Sequence, residues 1–385
     1  MAWTNYQLFL AFMMLVTGSI NTLSTKWADK SEAKGSDGKV RQFNHPFFQA
    51  VGMFLGELSC LFVFYIIRAY NTKKGIPMEL GPQTFSPFIF LPASLCDMTG
   101  TSLMYVGLNL TFASSFQMLR GAVIIFTALL SVAFLGRTIK CHMWLGQLFV
   151  VLGLVLVGLS DILFGETKNN DMNAIIAGDL LIIMAQVIVS IQMVYEERFI
   201  TKHDVPPLQA VGWEGFFGFT ILGTLLIPMY FIKVGGFLAA GRPEGRLEDA
   251  IDAFVQMGNN WQILVATLGN IVSIAFFNFS GISVTKELSA TTRMVLDSLR
   301  TLVIWVVALA VQWQIFRWNG FLVQAAGFSL LLVGMYVYND LVCGPFLRRK
   351  GWLPGSRKEE FRPLLNENDS AVNVEGAGNT YGTNT

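Results

Sequence analysis

Pro46-Phe47-Phe48-Gln49-Ala50-Val51-Gly52 opens one apolar run of this chain, and Pro206-Pro207-Leu208-Gln209-Ala210-Val211-Gly212 opens another. One such likeness is weak, but others follow in the same order. Gly107-Leu108-Asn109-Leu110-Thr111 returns as Gly281-Ile282-Ser283-Val284-Thr285, and Trp144-Leu145-Gly146 with Gly153 returns as Trp318-Asn319-Gly320 with Gly327. Ser19-Ile20-Asn21 likewise faces Ser190-Ile191-Gln192. Matches that keep their order mark an internal duplication.

The repeated unit is built of membrane spans. Of the 385 residues 53% are apolar and 14% charged, against about 25% charged in ordinary soluble domains. A helix needs about 20 residues to cross the hydrocarbon core. Segments 6–25, 47–67, 87–108, 113–135, 142–164, 174–195, 208–232, 261–283, 292–313 and 319–341 meet that need. Five precede a polar gap near 165–173 and five follow it. Because five is odd, the second copy must thread the bilayer in the opposite sense to the first. The expected fold is therefore all-α and integral to the membrane, ten helices in two inverted five-helix repeats, 1–165 and 166–342. Inverted repeats are the architecture of secondary transporters, with the solute near the midplane.

Residues 343–385 are rich in basic residues and then in Asn, Gly, Glu and Thr. That composition cannot bury a core and reads as a disordered tail. Its basic residues Arg348, Arg349, Lys350, Arg357, Lys358 and Arg362 decide the positive-inside balance and place both termini in the cytoplasm. Met1 to Gln7 contains no Lys or Arg. A secretory signal normally begins with positive charge, so the first run reads as a retained span.

A charge at mid-span costs ~2.5 kcal/mol or more and normally faces a cavity or a partner. Glu57 and Asp97 each fall eleventh in their spans, and Glu214 lies about two turns into span seven, near the repeat-equivalent of Glu57. Such carboxyls can carry a proton or form a salt bridge that moves between states; a fixed ion pair is the plainer alternative. Arg120 is followed by fifteen residues before Gly136, too few for a span, so it must lie in the membrane. Arg293, Asp297 and Arg300 share one helical face by their spacing, so Asp297 can pair with either arginine and leave a net positive charge. The repeat sets Arg120 opposite Asp297. Guanidinium groups in a cavity suit a phosphate-bearing solute, although they also serve to compensate the buried carboxylates. Asn270 and Asn278, eight apart, share a face where amides can read a sugar or a base, or join helix to helix. Gly52, Gly56, Gly146, Gly153 and Gly158 read as sites of close helix packing.

Several classes drop out. A net charge of +1 offers no field for nucleic acid. Cys60, Cys96, Cys141 and Cys343 show no paired spacing. The chain carries no hydrolase, P-loop or zinc-protease signature. No enzyme, cofactor or metal site is expected.

With Gly56-Glu57, Gln117-Met118-Leu119-Arg120-Gly121 and Trp213-Glu214-Gly215 set in ten spans, residues 1–345 resemble the F branch of solute carrier family 35, in the drug/metabolite transporter superfamily. The resemblance implies a ten-helix inverted-repeat carrier of the nucleotide-sugar-transporter-like kind, moving a nucleotide-sugar, nucleotide or nucleobase-like metabolite. The lysine- and tyrosine-bearing nucleotide motifs of true nucleotide-sugar carriers do not occur in spans seven to nine.

In the tail, Glu360-Phe361-Arg362-Pro363-Leu364-Leu365 fits the acidic dileucine pattern. Glu360, Leu364 and Leu365 would be read by cytosolic clathrin adaptors and send the protein to lysosomes or late endosomes, with the Golgi as the alternative. Asn109, of Asn109-Leu110-Thr111, is the sequon placed in a lumenal connection. The expected partners are a small organic solute and the lipid bilayer, with a second copy or another membrane protein as further candidates. A non-transporting scaffold acting through its tail and an ion channel are the competing readings, and the sequence offers no selectivity filter for the latter.

Overall fold

The computed structural model describes residues 4–75, 85–110, 119–136, 140–164, 172–235, 242–311 and 318–338. Its helices are α1 (Asn5–Lys30), α2 (Pro46–Lys74), α3 (Leu91–Leu110), α4 (Val123–Leu135), α5 (Cys141–Phe164), α6 (Met172–His203), α7 (Pro207–Phe231), α8 (Ala250–Asn259), α9 (Trp261–Glu287), α10 (Ala290–Ala310) and α11 (Trp318–Tyr338). A small hairpin, β1 (Glu32–Lys34) and β2 (Val40–Gln42), joins α1 to α2. By length and composition α1, α2, α6 from Ile176, α7 and α9 can each cross a membrane. Their outer faces carry exposed Phe12, Phe62, Ile66 and Ile227, as lipid contact demands. Exposed Thr220 and Thr224 donate their hydroxyls to the carbonyls four residues back, at 2.7 Å each, which keeps polar groups satisfied without water.

Local signals explain the ends. Thr4 and Gln7 form a capping box at the start of α1. Pro46 stands in the first turn of α2, and Gly75, with φ 66°, closes it after Lys73 and Lys74. One expectation needs correction. Span six does not end at 195, since α6 runs on to His203 and brings Glu196 and Glu197 inside a helix. The connection 235–260 contains α8, which Asp249 caps through the Asp252 N–H at 3.0 Å.

The long helices pack chiefly as pairs, α1 on α9, α2 on α7, α3 on α6 and α5 on α11. Smaller contacts join α2 to α9, α3 to α7, α4 to α6, α1 to α10 and α4 to α10. The principal pairs are antiparallel. Gly212, Gly215 and Gly218 of α7 meet Leu61, Leu58 and Phe54 of α2 in descending order, and Gly100 and Gly107 of α3 meet Val189 and Ile182 of α6. Along α5, Gly146 lies on the Tyr338 backbone and Gly153 on the Gly327 carbonyl, where an added Cβ would come within 2.6 Å of the oxygen. Glycine there lets two backbones touch, as it does in other helix pairs within lipid.

Outside the spanning helices, the 31–45 segment docks onto 242–256 through buried charges. His45, 1% exposed, lies between Glu248 (Nδ1 to Oε1, 2.8 Å) and Asp252 (Nε2 to Oδ2, 3.2 Å). Arg41 reaches Asp252 at 2.6 Å, and Arg242 reaches Glu248 at 3.5 Å. Glu248 Oε2 also accepts the Phe47 N–H at 2.9 Å, so a residue two hundred positions away caps the start of α2. Burial opposes protonation of His45, but hydrogen bonds to Asp252 and Glu248 outweigh it and hold its pKa above the ordinary value. Burial likewise opposes ionisation of Asp252, yet hydrogen bonds from His45, Arg41 and Ser36 bring its carboxyl well below the usual range.

The signs combine. A raised histidine stabilises in acid and loses its contribution as pH climbs through the folded-state pKa; a lowered aspartate stabilises until strong acid protonates it. The clamp is therefore firmest between about pH 4 and pH 6.5. In detergent, His45→Gln is expected to lower the Tm by several degrees at about pH 5.5 and by clearly less at about pH 8. Equal losses at both would show that protonated His45 does not hold the clamp.

Candidate functional site

Two charged clusters lie between the helices. In the first, Gly215 lets α7 approach α2 until an added Cβ would stand 2.5 Å from Glu57 Cβ, which sets Glu214 beside Glu57. Glu57 accepts a hydrogen bond from the Asn278 amide of α9 at 2.5 Å. Ser94 of α3 donates to the Glu214 carbonyl at 3.1 Å, and one turn on Asp97 accepts from Thr101 at 3.3 Å. Opposite them, Arg293 of α10 forms an ion pair with Glu196 of α6 at 2.9 Å, and Gln192 donates to the other Glu196 oxygen at 2.8 Å. Gly281 makes room for that arginine, since a Cβ there would lie 2.7 Å from Arg293 Nε. Glu57 and Glu196 are 2% exposed, Arg293 4% and Glu214 8%, so all four charges are withdrawn from solvent and lipid. Glu57, Asp97, Glu196, Glu214 and Arg293 lie near enough for their charges to interact. Glu214 Oε1 is buried without a hydrogen-bond partner.

The second cluster joins α4's entry to α10. Arg300 pairs with Asp297 at 3.1 Å, and Arg120 approaches the same carboxylate at 3.8 Å. Arg120 precedes a tight turn in which Ala122 N–H bonds the Leu119 carbonyl at 3.0 Å and Ile124 N–H the Gly121 carbonyl at 3.2 Å. Arg300 also rests its guanidinium 5.0 Å above the Phe277 ring.

Every charged residue singled out in the sequence thus falls in one of the two clusters, with a different division of partners. Asp297 takes Arg300 and Arg120, while Arg293 turns to Glu196. The amides work between helices. Asn278 serves Glu57, and Asn270 accepts from Asn21 of α1. Glu196 was missed because its span seemed to stop at 195, and Gln192 was noticed only as part of the repeat. A signal was available, since a pair of glutamates directly after an apolar run invites the question of what neutralises them. The side chain of Asn109 and the tail residues Glu360, Leu364 and Leu365 lie outside the described residues.

Apolar helices packed around buried, paired charges define an all-α membrane protein of the transporter type. A solved crystal structure, 15% identical, superposes with a TM-score of 0.57 over 88% of this chain and 98% of its own, and so shares the fold. The model of solute carrier family 35 matches residues 12–230. Solute carrier family 35 member F6 of Homo sapiens is 61% identical, with 97% of this chain and 99% of that one covered. The Pongo abelii member F6 is 59% identical over 94% and 97%, and an uncharacterised protein of Schizosaccharomyces pombe 34% identical over 88% and 99%. The chain belongs to the F branch of solute carrier family 35. Membership points to a solute transporter rather than an enzyme.

Arg293 is the sole cation of the first cluster among the described residues. Arg293→Ala is expected to cost about 3 to 5 kcal/mol by leaving Glu196 buried and unpaired. The double variant with Glu196→Ala should cost clearly less than the sum of the two single losses, read from thermal unfolding in detergent. Additive losses would mean that the two residues do not form an energetic pair.

Proposed function

We propose that this protein is a secondary-active, alternating-access carrier of a small organic solute, of nucleotide-sugar, nucleotide or nucleobase-like character, across an endomembrane. The solute and coupling site comprises Glu57, Asp97, Glu214, Asn278 and Arg293, with Glu196 added, and the Arg120–Asp297–Arg300 cluster and Asn270 lie beside it at the seam.

One observation carries the reading. Let α1–α5 form one set and α6, α7, α9, α10 and α11 the other, each numbered from its first member. Every packing contact between the sets named above then has its counterpart when the sets are exchanged. First meets third and third meets first; first meets fourth and fourth meets first. Second meets second, fourth fourth and fifth fifth, and second meets third in both senses. Residues matched by the sequence repeat, Gly153 with Gly327 and Arg120 with Asp297, touch each other, as equivalent points do at a two-fold axis. Antiparallel pairing between the sets supports an axis in the membrane plane. An axis of that kind gives two states related by exchange of conformations, with the buried charges between them.

The test begins with metabolites that accumulate in organelles lacking the protein, followed by their uptake into proteoliposomes holding the purified chain. Uptake above empty vesicles is expected, falling roughly tenfold or more in Glu57→Gln. Flux that is unchanged in Glu57→Gln and Arg293→Ala would refute this site.

The tail pattern Glu360 to Leu365 supports delivery to lysosomes or late endosomes through clathrin adaptors, both termini facing the cytoplasm. Substituting Leu364 and Leu365 together by alanine is expected to move the protein to the cell surface, seen by surface biotinylation. An unchanged distribution would remove the motif from the account.

A further inference from the structure

The first cluster is unbalanced, and the imbalance bears on what it can carry. Four carboxyls, Glu57 on α2, Asp97 on α3, Glu196 on α6 and Glu214 on α7, face one guanidinium, Arg293 on α10. Among the described residues, the other titratable groups nearby are the thiols Cys60 on α2 and Cys96 on α3, with Tyr195 and Glu197 flanking Glu196 on α6. Glu197 accepts the Ala290 N–H of α10, and α9 contributes the neutral Asn278. With every carboxyl ionised the balance would be four negative charges against one positive, a net −3. Each uncompensated charge withdrawn from water costs several kcal/mol, so an empty pocket must hold protons instead. A second observation points to a ligand. The Glu214 carboxyl is more than nine-tenths buried beside Glu57, which Gly215 lets approach, yet its Oε1 has no hydrogen-bond partner. The Gln192 Oε1, also buried, is likewise without one. Both are acceptors, and both lie beside the Glu196–Arg293 pair.

The open donor beside them is Arg293 Nε, on a guanidinium already paired with Glu196, against two open acceptors and four carboxyls, and such an excess of acceptors is the reverse of what a phosphate needs. We infer that this pocket takes an organic cation, a solute bearing an ammonium, guanidinium or protonated amidine group, in exchange for protons held on its carboxyls. The inference rests on the carrier reading and narrows it toward basic, nitrogen-rich solutes and away from phosphate-bearing ones. The balance is simple. As the cation enters, Glu214 gives up its proton to the aqueous side then open, and the carboxylate formed accepts the N–H groups of the solute. One proton leaves for each positive charge that binds, so the occupied and empty pockets carry the same charge and each can change sides.

The test uses full-length protein in proteoliposomes with agmatine and uridine monophosphate as labelled probes. Agmatine uptake driven by a proton gradient of opposite direction is expected, with a loss of roughly tenfold or more in Glu214→Gln. Because that variant can fail to fold, wild-type protein in weakly buffered detergent solution supplies a second measurement. Adding agmatine, which carries both an ammonium and a guanidinium, should release about two protons per molecule bound, one for each positive charge, whereas uridine monophosphate should release none. Uptake of uridine monophosphate but not agmatine, insensitive to the proton gradient, would overturn this inference and leave the carrier reading standing. Flux of some other solute with neither proton release nor gradient dependence would do the same. Failure of every solute to cross would bring both down.

Discussion

No isolated charge can remain in hydrocarbon. Each one on a spanning helix must find an opposite charge, a hydrogen-bonding partner or a proton, and the arrangement of this protein follows from that demand. Asn278 is held to Glu57, Arg293 to Glu196, and Arg300 with Arg120 to Asp297. The Asn278–Glu57 and Arg120–Asp297 links join opposite halves of the chain, whereas Arg293–Glu196 and Arg300–Asp297 tie helices of the second half together. The apolar faces turned to lipid could be met by many packings; the polar links admit few.

Small residues make those links reachable. Gly215 brings α7 onto α2 beside Glu57, and Gly281 leaves space for Arg293. Leucine at either position would hold the helices apart by the width of a side chain and separate charges that must be within hydrogen-bond reach. The glycines thus act on the electrostatics through distance, and their effect on the site exceeds the area they bury.

Much of this was legible from the residues alone. Runs of about twenty apolar residues fix helices because the bilayer has a set thickness, and depth within a run ranks polar residues by cost, which singled out Glu57, Asp97 and Glu214. The repeat brought Arg120 and Asp297 together on paper, and in the structure they touch at 3.8 Å. Three features were hidden for physical reasons. Glu196 and Glu197 looked like the polar end of a span, since hydropathy cannot distinguish an exit into water from a pair neutralised by another helix. The choice of Arg293 for Glu196 over Asp297 depends on α6 and α10 meeting, which spacing along one helix cannot show. The clamp at His45 joins positions two hundred residues apart, and short polar connections carry no periodicity that would align them.

The strongest helix pairings run between the halves, α1 with α9, α2 with α7, α3 with α6 and α5 with α11. During synthesis α1 to α5 are therefore made before any of their main partners. Through that interval Glu57 and Asp97 are without Asn278, Arg293 and Glu196, and the helix end that Glu248 closes stands open. Truncation before α6 would leave the first five helices permanently without their main partners.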